Sequence, residues 1–390
     1  ERYSISGGIS TQIDLSQSAN RFRAFNVNFN NDLQFPTFKD PLKAVKALNK
    51  VYLASDKLYG NFVKDAVTNL NLGFNLVNLR DLYSITTVNA SLGYRFTDRI
   101  SRSIIIDQIG ITFNNYTIKS LFDSITIKNP FIKRNFEDNF FTGLFFRNLN
   151  YTFNFPRNEK GWSGALFTNI EFSGLEAFIL NGISNSISGK DQQWSLGGYE
   201  FSKFGRLELD GRITKSFSGK RSLVGRLNFG IIAPLVKNQA APFIKQFNVG
   251  GPNSLRAWGP RVLGPGAFFN PTLGNVLPYS QGDLKIEANL EYRFNIWWIL
   301  QGAVFVDAGN VWALTGFEDE NGNFGPDFLN QVAVAAGWGM RWDFNYFNIR
   351  FDFGYRMRDP FITGKSHWYS LNRVKEQNLG NIQVAVNYPF

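Results

Sequence analysis

The chain lacks cysteine altogether, and its 390 residues include a single histidine, His367. Without cysteine there is no disulfide framework, no thiol nucleophile and no cysteine-bound metal. The one histidine lies in a loop-like Gly-Lys-Ser-His-Trp run and reads as an exposed loop residue, and no oxygen-ligand loop of the EF-hand type is present. We therefore expect a protein that is not an enzyme, with no catalytic residue, no metal and no cofactor.

Long apolar runs and dense charge are also missing. No run of about 18 consecutive apolar residues occurs, which excludes a membrane-spanning helix. Charged residues make up only 18% of the chain, and the net charge of +10 comes from Lys and Arg residues that are scattered singly. Because a nucleic-acid-binding arm carries dense basic runs, we expect no nucleic-acid partner.

What the chain has instead is alternation of apolar and polar residues. Over 283–296 the apolar members are Leu284, Ile286, Ala288, Leu290, Tyr292, Phe294 and Ile296, and between them stand Asp283, Lys285, Glu287, Asn289, Glu291, Arg293 and Asn295. Period two predicts strands. One apolar face and one face with several charges fit a wall between lipid and a wet lumen, not a sandwich core. The sequence therefore predicts an all-β fold, a transmembrane antiparallel β-barrel with about 14 countable strands.

The same alternation predicts where the strands lie. They are expected over 2–15, around 25–33, and over 68–79, 84–97, 102–114, 139–155, 162–181, 201–217, 220–234, 283–296, 302–312, 331–344, 349–358 and 382–390. Residues 40–66 predict a short helix, 117–137 a loop and 182–198 an exposed loop. Aromatic residues at strand ends are typical of membrane interfaces; they are Trp297, Trp298, Trp312, Trp342, Tyr346 and Phe347.

A long connection, residues 237–281, separates two groups of these strands, and we call it the signature loop. Its centre reads Gly250-Gly251-Pro252-Asn253-Ser254-Leu255-Arg256-Ala257-Trp258-Gly259-Pro260-Arg261. So many glycines and prolines exclude a helix or a strand interior, and connections of this length are usually functional. A solvated tip has little use for Leu255 and Trp258 around one arginine. We therefore predict that the loop folds back and docks.

These residues resemble the outer-membrane assembly-pore superfamily of BamA, TamA and the two-partner secretion pores. Leu255, Arg256, Ala257 and Trp258 stand in the place of that family's Val-Arg-Gly-Phe/Tyr signature, with Ala257 where the family has glycine. The flanking Gly-Gly-Pro-Asn-Ser-Leu-Arg and Leu-Gly-Pro-Gly are similar to the TamA-like (TamL) branch of Bacteroidota. Residues 289–294, 302–312 and 337–341 resemble the family's strands 12, 13 and 14. The last strand resembles the terminal β-signal, with Ile382, Val384, Val386, Tyr388 and Phe390 on one parity.

The resemblance implies a barrel of about sixteen strands in a Gram-negative outer membrane, formed by residues 1–390, with the signature loop in its lumen. An arginine entering that lumen would meet Glu291, Phe305 and Asp307, which share the lumen-facing parity of their strands. Guanidinium binds carboxylates in bidentate, charge-assisted pairs. The chain is expected to be a mature or trimmed form that begins at the family's third strand, with the POTRA domains outside it.

The resemblance also implies a function. It suggests a pore that inserts or translocates other outer-membrane proteins and templates their strands at a seam between its first and last strands. The implied partners are nascent outer-membrane proteins, POTRA domains of the same chain, TamB-like or BAM-like accessory factors, and outer-membrane lipid with lipopolysaccharide. The alternatives are a secretion or lipid-transfer pore of the same superfamily, a passive diffusion porin, and an outer-membrane phospholipase, which would need a base beside a nucleophile.

Overall fold

The structure is a computed structural model. It describes residues 2–13, 22–40, 63–79, 83–97, 101–120, 139–188, 195–236, 241–268, 280–314, 320–344, 348–361 and 380–386, with the single residues 43, 46, 60 and 368 between them.

The described part of the chain is all-β, which confirms the predicted fold class. The strands before the signature loop are β1 (Arg2–Ile13), β2 (Phe22–Phe35), β3 (Val67–Leu79), β4 (Tyr83–Thr97), β5 (Arg102–Ile118), β6 (Asn139–Gly143), β7 (Asn148–Phe155), β8 (Trp162–Ser173), β9 (Ser195–Leu196), β10 (Tyr199–Glu200), β11 (Phe204–Ser216) and β12 (Ser222–Pro234). Those after it are β13 (Leu284–Trp297), β14 (Leu300–Trp312), β15 (Ala333–Asp343), β16 (Asn348–Arg358) and β17 (Gly380–Val386).

Within the described ranges these strands form one 15-stranded sheet, with antiparallel pairing from β1 to β5 and from β12 to β17. The order is β1-β2-β3-β4-β5-β7-β8-β11-β12-β13-β14-β15-β16-β17, with β6 paired to β5 beside that path, and β9 and β10 form a separate small hairpin. This agrees with the predicted number of strands. No helix in the described ranges is long and apolar enough to cross a membrane.

The chain divides into two compact units. The first consists of Glu1–Thr152, Thr168–Arg206 and Pro234–Pro242. Its sheet keeps the predicted alternation, and one register line joins exposed or half-exposed apolar residues on neighbouring strands. This line runs through Phe29, Phe74, Val88, Phe113 and Phe140. The opposite face carries hydrogen-bonded amides, such as Asn89 donating to Asn71 at 2.9 Å.

The second unit consists of Phe153–Phe167, Leu207–Ala233 and Phe243–Phe390, and it contains β12 to β17 with the described part of the signature loop. The predicted turn before β12 is present, since Gly219 and Lys220 both have positive φ angles of 72° and 55°. Val304 and Val306 of β14 are exposed, whereas Phe305 and Asp307 between them are buried. We call the buried side of these strands the polar face and the exposed side the apolar face.

Two strand predictions are wrong. The predicted strand 139–155 is interrupted after Gly143, and the predicted strand 162–181 ends at Ser173. Residues 175–181, together with the first part of the predicted loop 182–198, form a helix, α1 (Leu175–Ser188). The apolar run at 178–180 is compatible with either structure, and the repeat of Ile179, Ile183 and Ile187 is helical.

One aromatic residue does not lie where the sequence places it. Trp312 is fully buried, its Nε1 donates to Gln331 Oε1 at 2.6 Å, and its ring packs against Phe324 and Phe328. Trp312 is therefore a packing residue and not part of an exposed interface. Several predictions fall outside the described residues. They concern Tyr346, Phe347, His367, Tyr388 and Phe390, and most of the helix predicted within 40–66.

Candidate functional site

The described centre of the signature loop is a closed, buried structure. Val249 bridges Leu263, and Gly251 N donates to Trp258 O at 2.8 Å, so the chain doubles back on itself. Gly250 and Gly251 have φ angles of 99° and 94°, which residues other than glycine rarely adopt. Leu255, Ala257 and Trp258, three of the four signature residues, are completely buried.

The signature residues lie over a row of residues that are paired with one another across five neighbouring strands, β13 to β17. On the polar face, Glu291 pairs with Phe305, Phe305 with Gly337, Gly337 with Gly354, and Gly354 with Asn381. The two glycines leave the middle of this line without side chains. We call the line the docking row, because the signature residues lie along it.

Arg256 lies at one end of the docking row and binds two carboxylates. Its Nε and Nη2 donate to Asp307 Oδ2 and Oδ1 at 2.9 and 2.8 Å, and its backbone N donates to the same Oδ2 at 3.1 Å. Nη1 donates to Glu291 Oε2 at 2.6 Å. The guanidinium carbon stands 3.3 Å from the centre of the Phe305 ring, a cation–π contact. The structure thus brings together Arg256, Glu291, Phe305 and Asp307.

A wider ion-pair network surrounds this clamp. Glu291 also accepts from Arg341 Nη2 at 2.7 Å and from Arg293 Nε at 2.5 Å. Asp352 on β16 lies 3.7 Å from Arg256 Nη1 and 3.0 Å from Arg350 Nε. A buried charge is costly unless it is paired, and each charge of this network lies within 4.0 Å of an opposite one. Within the described residues no group of His, Cys, Asp or Glu could hold a metal ion.

A second set of contacts fixes the loop just before the signature residues. Ser254 Oγ donates to Glu287 Oε2 at 2.8 Å, and Arg226 Nη1 bridges Glu287 Oε1 and Asn253 O at 2.8 Å each. Arg350 Nη2 donates to Asn253 Oδ1 at 2.9 Å. The loop is therefore held from β12, β13 and β16 at once, which restricts its orientation as well as its position.

Sequence reasoning missed Arg226, Glu287 and Arg350 as loop contacts, and it also missed three residues of β16 and β17. Gly354 stands so close to the loop that a Cβ there would lie 2.8 Å from Ala257 N and from Arg256 C. Asn381 Nδ2 donates to Arg256 O at 3.0 Å, and Gln383 Nε2 donates to Trp258 O at 3.2 Å. Pairing β13 to β17 in register from Glu291 and Phe305 would have found Gly354 and Asn381, because all four lie on the docking row.

The apolar residues of the last strand are not part of this site. Ile382 and Val384 are exposed on the apolar face, whereas Asn381 and Gln383 between them reach the loop. The backbone of Val386 pairs with Ile349. The last strand therefore has a side that contacts the loop and a side that is open to its surroundings.

A buried carboxyl group, Asp283, lies between the signature loop and β13. Its Oδ1 accepts from Gln246 Nε2 at 2.9 Å and its Oδ2 accepts from Leu314 N at 3.1 Å. Burial raises the pKa of Asp283 to about 6, although both hydrogen bonds act to lower it. The folded protein therefore binds a proton at this group in the pH range from about 4 to 6, where the unfolded chain does not.

This raised pKa predicts a pH dependence of stability. Since the native state holds the proton more tightly, the free energy of unfolding should fall as the pH rises from about 4 to 6.5, by up to about 3 kcal/mol. Asp283→Asn should flatten that fall, while the exposed Asp327→Asn should not. Urea unfolding in detergent, followed by tryptophan fluorescence across this pH range, measures the slopes. Equal slopes for the wild type and Asp283→Asn would contradict the assignment.

Comparison with known proteins identifies a family and a fold. The Omp85 superfamily domain matches residues 6–361. BamA from Haemophilus ducreyi lacking POTRA domains 1–3 is similar in structure, with a TM-score of 0.57 at 14% identity over 99% of this chain and 70% of that one. CdiB from Escherichia coli is similar with a TM-score of 0.50 at 11% identity, over 99% of this chain and 56% of that one. No curated protein matches the chain.

Proposed function

We propose, from the premise that this chain belongs to the Omp85 superfamily, that it is an outer-membrane pore which inserts or translocates other outer-membrane proteins. One observation carries the proposal. The signature loop is clamped to β14 through Arg256 and is also tied to the last strand through Asn381. A diffusion porin has no need for a loop that contacts its terminal strand.

The terminal strand supplies the means of templating. Among the described residues β17 is the last member of the strand order, and it pairs with β16 over seven residues, Ile349 to Tyr355. An edge strand presents unpaired N–H and C=O groups, and an incoming strand can pair with them by β-augmentation. On this proposal β17 forms one side of a seam with the first strand, and the free energy comes from folding of the client, without nucleotide or covalent chemistry.

The proposed partners follow from this mechanism. They are nascent outer-membrane proteins, POTRA domains of the same protein, accessory factors of the TamB-like or BAM-like type, and outer-membrane lipid with lipopolysaccharide. We place the chain with the TamA-like branch of Bacteroidota on the sequences that flank Arg256. The second candidate function is secretion of a dedicated partner through the same pore. We retain it because the fold is also similar to that of CdiB.

The proposal is tested by client folding in liposomes that contain the purified chain. A small outer-membrane barrel protein is diluted from urea into these liposomes, and its folded fraction is followed by heat-modifiable migration on gels. We expect faster folding than in liposomes with an unrelated porin at the same protein-to-lipid ratio. Unchanged folding, together with a large and steady conductance in planar bilayers, would instead identify a diffusion porin.

The hydrogen bonds between the signature loop and β17 allow a separate prediction. Asn381→Ala with Gln383→Ala removes the donors to Arg256 O and Trp258 O and leaves the Arg256 clamp in place. A hydrogen bond contributes about 0.5–1.5 kcal/mol, so amide hydrogen exchange in β17 should accelerate about tenfold. Val384→Ala, on the opposite face of the same strand, is the matched control. Exchange in β17 that is the same in the double variant and the wild type would show that the tie does not hold the strand.

A further inference from the structure

Helix α1 exposes its isoleucines and buries an asparagine, which is the opposite of a helix whose outer face meets water. Ile179, Ile183 and Ile187 follow one another at intervals of four residues and form a single line along the helix. They are 51%, 54% and 83% exposed. Asn181 is buried, and it points away from this line because two residues turn a helix by about 200°. A water-facing helix would show its asparagine outward and bury its isoleucines.

The helix is fixed to the sheet of the first unit at its amino-terminal end. Gly174, with a φ of 62°, ends β8 and its N donates to Thr142 O at 2.8 Å. Glu176 Oε1 accepts from Leu144 N at 2.8 Å and from Phe145 N at 2.9 Å. These amides belong to the interruption between β6 and β7, where both side chains are exposed. The outward-facing residues together form what we call the helix patch: Leu144, Phe145, Ile179, Leu180, Ile183 and Ile187.

The helix patch continues the exposed apolar side of β5 and β6. Thr142, which accepts from Gly174, is paired with Ile111, an exposed residue of that face. Further along β6, the Phe140 ring packs in a tilted arrangement against Phe113, with 4.8 Å between ring centres. Phe141, between Phe140 and Thr142 in β6, is buried on the other side of the sheet against Phe204. The helix patch therefore adjoins the exposed apolar side of these strands at Thr142.

The charge pattern decides what covers the patch. Between residues 175 and 188 the only charged residue is Glu176, and both of its known contacts are with backbone amides. Protein interfaces generally have a polar rim and are rich in arginine and tyrosine, neither of which occurs in this helix. Isoleucine, leucine and phenylalanine side chains transfer favourably into the hydrocarbon of a bilayer, so a patch of these residues without charge fits lipid acyl chains.

We propose that α1 is embedded in the membrane, with the helix patch covered by lipid acyl chains beside the strands β5 and β6. Asn181 and the backbone contacts of Glu176 face the protein, and the isoleucine line faces lipid. The chain thereby occupies a wider lipid footprint on this side than its strands alone would need. The proposal uses the membrane location of the Omp85 superfamily and does not depend on which client the pore handles.

The absence of cysteine allows a direct test with single labels. Ile183→Cys and Ile187→Cys are each labelled with an environment-sensitive fluorophore, and the chain is reconstituted in liposomes. Glu159→Cys, in the exposed connection between β7 and β8, is the matched control. Since an interfacial helix seats its apolar face about 5–10 Å into the boundary of head groups and acyl chains, we expect doxyl-lipid quenching about threefold above the control and weak quenching by iodide.

Two results would overturn the proposal. Iodide quenching equal to that of the Glu159→Cys control in liposomes would place the patch in water. Protection from iodide in native membranes but not in liposomes would show that a protein partner covers it. All three label positions are exposed, so the variants should fold, and heat-modifiable migration verifies this. If the quenching results place the helix patch in water or under a protein partner, client folding in the same liposomes is still expected. The two experiments therefore test this proposal and the proposed function separately.

Discussion

Replacing Arg256 by alanine should abolish client assembly and lower the free energy of unfolding by about 3–5 kcal/mol, because two buried carboxylates would lose a partner. Asp307 is completely buried, and among the described residues Arg256 is the one cation within 4.0 Å of it. Asn289 Nδ2 still donates to Asp307 at 3.0 Å, but an amide does not neutralise the charge. Urea unfolding and the liposome folding assay measure the two effects.

Arg256→Lys separates charge from geometry. Lysine keeps the positive charge but cannot make the bidentate contact with Asp307 while also reaching Glu291. Its stability should therefore lie between those of the wild type and Arg256→Ala. The control is Arg221→Ala in the exposed turn before β12, where the side chain bonds only locally to Ser218 among the described residues. Wild-type stability and assembly in Arg256→Ala would contradict the clamp.

Gly354→Val should displace the signature loop while leaving the strands paired. A Cβ at this position would lie 2.8 Å from Ala257 N, and the neighbouring atom is backbone, which cannot rotate away. The backbone of Gly354 itself is ordinary strand, so the effect is steric and arises from the loop. Overpacking of this kind costs about 1–3 kcal/mol. We expect trypsin to cut after Arg256 in the variant and not in the wild type.

The matched control for Gly354→Val is Gly211→Val in β11. Among the described residues the atom nearest to a Cβ at Gly211 would be Leu227 O at 4.0 Å, so the same change in a strand of the same unit has room. Gly211→Val should keep the loop resistant to trypsin and retain client assembly. If Gly354→Val leaves the loop protected as well, the close approach of loop and β16 does not exist.

The sequence was sufficient for the parts of the molecule that repeat. Period-two alternation locates most strands because each strand separates two environments along its whole length. It also places Glu291, Phe305 and Asp307 on one face of their strands. Their contacts with Arg256 could be expected from the resemblance together with the preference of guanidinium for carboxylates.

What the sequence could not give depends on pairing between strands. Gly354 and Asn381 lie under the loop because of the register that forms the docking row. The sequence of a single strand does not reveal its register with its neighbours. The helix α1 was missed because its apolar residues at 178–180 satisfy a strand as well as a helix. Trp312 looked like an interface residue, yet Gln331, Phe324 and Phe328 enclose it.

The central claim is that incoming strands pair with β17, and a disulfide crosslink tests it most directly. The chain has no cysteine of its own, so Ile382→Cys in β17 can be compared with Val304→Cys in β14. Both residues are exposed on the apolar face, but β14 lies between two paired strands. A client with one cysteine in its terminal strand is added during folding in liposomes. The account predicts a crosslink to Ile382→Cys and none to Val304→Cys; equal yields at both positions would contradict it.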